Sequence, residues 1–151
     1  MTTAVKKLLD RIQASFPIDK RPFLKLSETF QLSEGEIIET LKELKEHGVI
    51  RRIGAILEPR MFGAEPVLLA LRVEEGKVEE VGRETARYPE VTHCCEREGS
   101  SYNLWIVLTA EKGRKEKLIE EFKRLNGVKD LLALESEEVY KLKAVFRRYR
   151  C

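Results

Sequence analysis

The chain has 151 residues, 42% hydrophobic and 36% charged, which is enough for one ordinary domain or two small ones with a real core. Its 28 basic and 26 acidic residues leave a net charge of +2, which excludes a general electrostatic attraction to nucleic acid. No apolar run approaches the ~20 residues of a membrane span, and we expect no signal peptide. Three cysteines, two of them adjacent, do not form a disulfide framework, so we expect a protein of the reducing cytoplasm.

The N-terminal part of the chain shows the pattern of three short helices. Apolar side chains at helical spacing predict a first helix that ends near Pro17. Pro22 suits the first turn of a second helix, which we expect to run to about Phe30. Ser33 and the glutamate three residues later form a capping box at the start of a third helix, and Gly48 ends that helix.

The segment after the third helix, Val49–Leu57, predicts a strand pair or wing. Three helices and a wing make a winged helix-turn-helix, which we assign to residues 1–58. This segment resembles the N-terminal head of the Lrp/AsnC regulators. Between Ser33 and His47, however, the third helix carries five Glu and two Lys, a net charge of −3. Reading the major groove needs cationic or amide side chains beside phosphate, so we expect a structural, dimerising head without specific DNA binding.

Residues 59–151 show alternating strand and helix signals. An apolar run at Pro66–Val73 predicts a central strand, and Val91–Cys95 and Tyr102–Thr109 predict two strands around a Gly-Ser turn. Helical spacing predicts one helix before this hairpin and one after it, and the alternation at Tyr140–Arg147 predicts a last strand. The order βαββαβ predicts an α+β, ferredoxin-like domain with both helices on one face. The other face must be covered, so we expect a dimer joined through sheets and heads.

A cluster of ionisable residues interrupts the predicted hairpin. His93, Glu96 and Arg97 follow one another at the turn of strands that are otherwise apolar. Because unpaired ionisable groups are costly to desolvate, a strand that only had to pack would gain nothing from them. The cluster therefore indicates a place where pKa tuning and anion binding occur. No spacing of cysteines or histidines supports a metal site.

Three motifs on this Lrp/AsnC-like frame resemble the siroheme decarboxylases of haem and haem d1 biosynthesis. They are V-I-R-R-I-G-A at Val49–Ala55, H-C-C-E-R at His93–Arg97 and Y-N-L-W at Tyr102–Trp105. The resemblance implies removal of CO2 from the C12 and C18 acetate groups of siroheme, giving 12,18-didecarboxysiroheme. It also implies a homodimer or a heterodimer with a paralogous subunit. No cofactor is required because the iron tetrapyrrole is the substrate, and haem binding stays open. Cys95 stands where family members commonly have an aromatic residue. The alternative that this chain is the less active of two paired subunits therefore stays open.

The residue types fit this chemistry. Siroheme is a flat ring with acetate and propionate arms, so binding it needs an apolar slot and arginines, whose fork binds a carboxylate through two hydrogen bonds. We predict that His93 donates the proton, since imidazole titrates near neutral pH, and that Arg97 orients a carboxylate. The predicted substrate-binding residues are Arg51, Arg52, Tyr102, Asn103 and Trp105.

Each assignment has an alternative. His93 could ligate iron or make a structural hydrogen bond, and Arg97 could pair with a neighbouring glutamate. Arg51 and Arg52 alternate along an extended segment, so one of them faces away from any given side, and Trp105 could belong to the core. For the whole chain, the alternatives are a transcription regulator of the Lrp/AsnC type and a haem-sensing subunit without catalysis.

Overall fold

The computed structural model describes residues 2–141 and 145–146, which divide into two compact units. The head unit holds the described residues up to Ala55 and from Lys141 onward. The sheet unit is Ile56–Tyr140. Within the described ranges no helix is long and apolar enough to cross a membrane.

The observed division differs from the predicted one in two places. The predicted boundary followed residue 58, whereas the head unit ends at Ala55. The described C-terminal residues were predicted to belong to the second domain, but they group with the head. One reason is a long-range hydrogen bond in which the backbone N–H of Phe146 donates to Oε1 of Gln13 at 2.9 Å.

The three predicted helices of the head are confirmed. The third begins at the predicted capping box: Ser33 Oγ accepts the Glu36 N–H at 3.2 Å, and Glu36 Oε2 accepts the Ser33 N–H at 2.7 Å. Apolar residues of all three helices and of the following loop form one small core. The helices are α1 (Thr3–Ala14), α2 (Pro22–Phe30) and α3 (Glu34–Glu46). The core residues are Leu8, Leu9, Leu26, Ile37, Leu41, Leu44 and Ile50.

The predicted wing is wrong. Val49–Leu57 forms no strand in the described structure. Instead, the N–H groups of Val49 and Ile50 both donate to the carbonyl of Leu44, at 2.9 and 3.0 Å, and close the end of α3. Gly48 permits this turn with a φ of 71°. Because these two donors serve the helix end, they are not available for the cross-strand bonds of a ribbon.

The sheet unit is the predicted βαββαβ arrangement. Its four strands pair in the order β2-β3-β1-β4, and every pairing is antiparallel. The central strand falls where the sequence predicted it. The elements are β1 (Ala64–Val73), α4 (Val78–Thr85), β2 (Val91–Glu96), β3 (Leu104–Glu111), α5 (Lys112–Lys123) and β4 (Val128–Glu135), after a 3-10 turn at Pro59–Phe62.

The last strand lies earlier in the chain than predicted. The prediction placed it at residues 140–147, of which 142–144 and 147 lie outside the described residues, whereas the structure has β4 at Val128–Glu135. Leu, Ala and Glu fill much of β4, and they are strong helix formers. Pairing with β1 overrides that preference, because tertiary contacts decide strand formation more than intrinsic propensity does.

One face of the sheet carries the core of the unit, and both helices pack there. The core residues are Val67, Leu69, Leu71, Val73, Val78, Val81, Leu104, Ile106, Leu108, Leu118, Phe122 and Leu131. Since side chains alternate along a strand, the residues between these face the other way. We call that surface the open face; it includes His93, Cys95, Trp105, Val107, Leu68, Ala70, Arg72, Asp130, Leu132 and Leu134.

A buried ammonium ties three elements of the sheet unit together. Lys115 of α5 is 5% exposed, and its Nζ lies 2.5 Å from Glu65 of β1 and 2.8 Å from Glu135 of β4. Hydrogen bonds to these two carboxylates raise the pKa of Lys115, and the same ammonium lowers the pKa of Glu65. The lysine is therefore held charged at neutral pH and anchors the ends of two adjacent strands to α5.

Gly127 is a position where no side chain fits. Its φ is 94°, and a Cβ added there would lie 2.8 Å from Cβ of Lys77. We expect Gly127→Ala to lower the free energy of unfolding by about 2–3 kcal/mol, because left-handed strain and a steric clash add. Urea denaturation measures it. Gly113→Ala, in open space on α5, is the matched control and should be neutral or slightly stabilising. An equal effect of both substitutions would contradict this role for Gly127.

Candidate functional site

The strand register places His93 and Trp105, two of the predicted site residues of the hairpin, in ordered rows on the open face. Each row crosses all four strands, from β2 through β3 and β1 to β4. The first row is His93, Val107, Leu68 and Leu134, and the second is Cys95, Trp105, Ala70 and Leu132. The β1–β4 half of both rows is entirely apolar, whereas the β2–β3 half carries the imidazole, a thiol and the indole.

His93 is exposed and sits just after a β-bulge. Val91 pairs with Leu108 and His93 with Val107, so Thr92 is an extra residue on β2. The Thr92 hydroxyl donates to the carbonyl of Val107 at 3.2 Å, and its oxygen lies 3.2 Å from Nδ1 of His93. Since the hydroxyl proton is committed, Nδ1–H is the donor to Thr92. This contact orients the ring and leaves Nε2 as the nitrogen that can exchange a proton with a bound molecule.

Arg97 stacks on an indole instead of pairing with an acid. Its guanidinium carbon lies 5.6 Å from the centroid of Trp105, within the range of a cation–π contact. Within the described part of the chain, Arg97 has no carboxylate within 4 Å, so the alternative of an ion pair with Glu96 or Glu98 is not realised. The Trp105 ring is itself fixed, because its Nε1–H donates to the carbonyl of Tyr102 at 2.9 Å. The planar donor fork of Arg97 is thereby positioned while its hydrogen-bonding groups stay exposed.

Tyr102 is bound to a carboxylate at the same end of the sheet. Its hydroxyl donates to Oδ2 of Asp130 at 2.7 Å. This hydrogen bond raises the pKa of Tyr102 and is also the main cause of the lowered pKa of Asp130. The phenolic proton is therefore directed at Asp130, which makes Tyr102 a poor source of a proton for a substrate.

Asn103 completes the sheet ladder. Its Oδ1 accepts the N–H of Val73 at 2.9 Å, and its Nδ2 donates to the carbonyl of Val73 at 3.0 Å. Its backbone N–H also donates to the carbonyl of Leu71, and its carbonyl accepts the N–H of Arg97. Both polar atoms of the Asn103 side chain thus bind the backbone of Val73 in β1. Without them, β3 would offer no partner to the N–H and C=O of Val73. A substrate role for Asn103 stays a prediction and would have to compete with these bonds.

Arg51 and Arg52 belong to the head unit, and both are exposed. Arg51 lines a cavity of about 780 Å³ whose other walls are mainly apolar, with Phe16, Ile50 and Phe146 among them. The five site residues of the hairpin belong to the sheet unit. The substrate roles of the two head arginines stay predictions.

Arg72, a cation of the open face, is not among the site residues predicted from the sequence. The signal was present, since Arg72 interrupts the apolar run of β1 at an alternate position. Its side chain is 51% exposed, and its guanidinium lies 3.9 Å from Asp130. Among the described residues, no group of three histidine, cysteine or acidic side chains converges in a way that could hold a metal ion.

Comparison with known proteins gives the class of the chain. Residues 5–51 match the family model described as "Siroheme decarboxylase NirDL-like HTH domain". Residues 61–141, more than half of the chain, match the model described as "AsnC-like ligand binding domain". The chain is therefore a protein of the Lrp/AsnC type, with a helix-turn-helix head and a ferredoxin-like ligand-binding domain.

Individual relatives narrow the class to a family. The chain is 34% identical over 142 residues to the siroheme decarboxylase NirD subunit of Pseudomonas aeruginosa, covering 93% of each protein. It is 40% identical over 104 residues to the siroheme decarboxylase NirDL subunit of Paracoccus pantotrophus, covering 69% of this chain but 32% of that longer protein. It is also similar to the crystal structure of siroheme decarboxylase NirDL in complex with an iron-uroporphyrin III analogue, with a TM-score of 0.71, 28% identity, and 96% and 48% of the two chains covered. The chain belongs to the family of siroheme decarboxylase subunits.

The ladder role of Asn103 predicts a loss of stability on substitution. Asn103→Ala removes both bonds to Val73 and should lower the free energy of unfolding by about 1–3 kcal/mol, because a half-buried backbone N–H and C=O lose their partners. Denaturant unfolding gives the value. Asn126→Ala, at an exposed turn, is the control and should change stability by less than about 0.5 kcal/mol. Unchanged stability in Asn103→Ala would show that these bonds contribute nothing.

Proposed function

We propose that this chain is a siroheme decarboxylase subunit that removes CO2 from the C12 and C18 acetate groups of siroheme. The observation that carries the proposal is the β2–β3 half of the open face, where an exposed imidazole and an arginine stacked on an indole border an apolar surface. Family membership supports the substrate class, since the relatives are named siroheme decarboxylases. The tetrapyrrole brings its own iron, so we propose no resident cofactor.

The residues of the open face supply the groups that the reaction needs. Apolar side chains next to Trp105 accept the flat ring, and Arg97 binds a carboxylate of the rim. When the bond between the acetate methylene and its carboxylate breaks, CO2 leaves and the electron pair stays on the methylene carbon. With Nδ1–H donated to Thr92, the imidazolium form of His93 carries a second proton on Nε2; this proton goes to the methylene carbon, which leaves a methyl group and the neutral imidazole. Because His93 is exposed, its proton is replaced from solvent.

The open face has to bind a partner subunit as well as the substrate. Its two halves differ in polarity, so each can bind one of them. Leu68, Leu132 and Leu134 on the β1–β4 half are 36–44% exposed and form an apolar surface without charge. Soluble monomers rarely expose such contiguous apolar surface. We assign these three leucines to the partner, a second copy or a paralogous subunit, and the β2–β3 half with the adjoining end of β1 to the substrate.

A second candidate is a tetrapyrrole-sensing subunit without its own catalysis. Cys95 is the specific observation in its favour, because it pairs with Trp105 in the second row, where siroheme decarboxylases commonly carry an aromatic residue. Mass spectrometry after anaerobic incubation with siroheme separates the two. Loss of CO2 from siroheme supports the decarboxylase. Binding without a mass change, both for the chain alone and when mixed with a paralogous subunit, supports the sensor.

We propose that the head does not read DNA. The third helix keeps its net charge of −3, and Glu34 and Glu36 occupy its first turn. In a helix-turn-helix this turn approaches the base edges, where carboxylates are repelled by phosphate. The structural similarity of the head to DNA-binding modules then reflects a shared scaffold.

His93 and Arg97 should separate into a rate role and an affinity role. We expect His93→Ala to slow decarboxylation by about 10²–10⁴ while siroheme affinity stays within a few-fold of wild type, because a general acid acts in the transition state. Arg97→Ala should weaken binding by about 1.5–3 kcal/mol, with incomplete rescue by Arg97→Lys, which lacks the fork. Single-turnover rates and absorbance titrations under anaerobic conditions measure both.

The controls use one residue of the head unit and one residue of α4. His47→Ala removes an exposed histidine that contacts the end of α3, and Arg83→Ala removes an arginine paired with Glu79 on α4. Both should leave rate and affinity unchanged. Full activity of His93→Ala would exclude this histidine as the acid, and loss of its siroheme binding would favour the iron-ligand alternative.

The assembly can be tested through the apolar half of the open face. We expect the wild-type protein to be a dimer in light scattering at micromolar concentration, alone or with a paralogue. Leu134→Glu should dissociate it, since a buried unpaired charge is costly in an interface. Val139→Glu, at an exposed apolar residue after β4, is the matched control and should stay dimeric. If wild type stays a monodisperse species of about 17.5 kDa, both alone and when mixed with a paralogue, the proposed dimer is contradicted.

A further inference from the structure

Arg72 is placed on the open face by the burial of its neighbours. Leu71 and Val73, on either side of it in β1, are buried in the core of the sheet unit. Because successive side chains of a strand point to opposite faces, Arg72 must project from the open face. A long cation here is not required by packing, since Leu68 and Ala70, the nearest open-face positions of β1, are apolar.

Continued by one residue beyond Leu104, the register of β3 with its two neighbours places Arg72 and Arg97 in the same cross-strand row. The N–H of Arg97 donates to the carbonyl of Asn103 at 2.9 Å, and the N–H of Asn103 donates to the carbonyl of Leu71 at 3.0 Å. Asn103 therefore separates the two arginines, one on each neighbouring strand. With strands ~4.8 Å apart, the two backbones are separated by about 10 Å. This row follows directly on the row that contains Trp105, so both guanidinium groups border the same apolar surface.

Asp130 attracts the charge of Arg72 but forms no hydrogen bond with it. The distance from Nη2 of Arg72 to Oδ2 of Asp130 is 3.9 Å, too long for a hydrogen bond. The carboxylate is already occupied, because Oδ2 accepts the Tyr102 hydroxyl at 2.7 Å and Oδ1 accepts the Leu131 N–H at 2.9 Å. Coulombic attraction thus keeps the guanidinium in place while its N–H donors stay available to another anion.

We propose that Arg72 binds a second carboxylate arm of the tetrapyrrole while Arg97 binds the first. This inference rests on the proposed function. Two forked donors at the same border of an apolar surface fit a flat ring whose rim carries several carboxylates, and each fork can bind one arm through two hydrogen bonds. Asp130 is a positioning residue in this arrangement, since it contacts Arg72 and Tyr102 and not the substrate.

Equilibrium binding of iron uroporphyrin III, followed by absorbance titration, tests the proposal. Arg72→Gln should weaken binding by roughly 10- to 100-fold, the effect of losing hydrogen bonds to a charged group. Arg72→Lys should recover part of the loss, because it restores the charge without the planar fork. Arg83→Gln, on the exposed surface of α4, is the matched control and should bind as wild type does. The molar mass of each variant is measured in parallel by light scattering.

The outcomes distinguish this inference from the proposed function. If wild type binds and Arg72→Gln binds equally well, Arg72 is not a substrate contact and the proposed function is untouched. If Arg72→Gln changes the molar mass, the residue belongs to the subunit interface and the inference is overturned. If wild type itself binds neither iron uroporphyrin III nor siroheme, alone or with a paralogous subunit, the proposed function fails, and this inference fails with it. Weaker binding at unchanged molar mass, with the control unaffected, supports Arg72 as a carboxylate-binding residue.

Discussion

The alternation of side chains along β1 is the constraint on which the sheet unit depends. β1 pairs with both β3 and β4, and its odd-numbered residues from Val67 to Val73 are buried beneath the two helices. A slip of one residue would turn that whole apolar set toward the open face. The core therefore fixes the register, and the register in turn determines which residues of the neighbouring strands share a row. The site owes its geometry to packing on the opposite side of the sheet.

Local interactions adjust this geometry where the ladder is irregular. The bulge at Thr92 changes the pairing of β2, and the Thr92 hydroxyl orients the imidazole of His93. At the other end of the hairpin, Asn103 replaces two backbone hydrogen bonds with its side chain and so continues the contact between β3 and β1. The first contact fixes a side chain within β2 and the second fixes the start of β3; elements of a sheet position groups more precisely than loops do.

The parts of the fold that the sequence predicted well have strong local signals. The capping box at Ser33 and the proline at the start of α2 define helix ends without reference to the rest of the chain. β4 was missed because its residues favour a helix and its strand conformation comes from pairing with β1, which lies some sixty residues earlier. Val49–Leu57 was predicted to form a strand pair or wing, but the backbone donors of Val49 and Ile50 complete α3 instead.

The same distinction applies to the site. His93 and Arg97 stand out in the sequence because ionisable residues are unexpected in an apolar hairpin. The bonds of Asn103 to Val73 could not be foreseen, since they join residues thirty positions apart. Arg72 had a local signal, a lone charge in an apolar strand, but its meaning depends on which face of the sheet remains open.

The arrangement of acids and bases on the open face bears on where the proton comes from. Tyr102 and Asp130 form a closed pair in which the phenolic proton serves the carboxylate, and the raised pKa of Tyr102 opposes its release. The two arginines are permanently charged and supply no proton. His93 presents an imidazole, whose ring nitrogens can both donate and accept a proton, at the exposed edge of the β2–β3 half. On the described open face we therefore propose that the cations serve binding and that His93 transfers the proton.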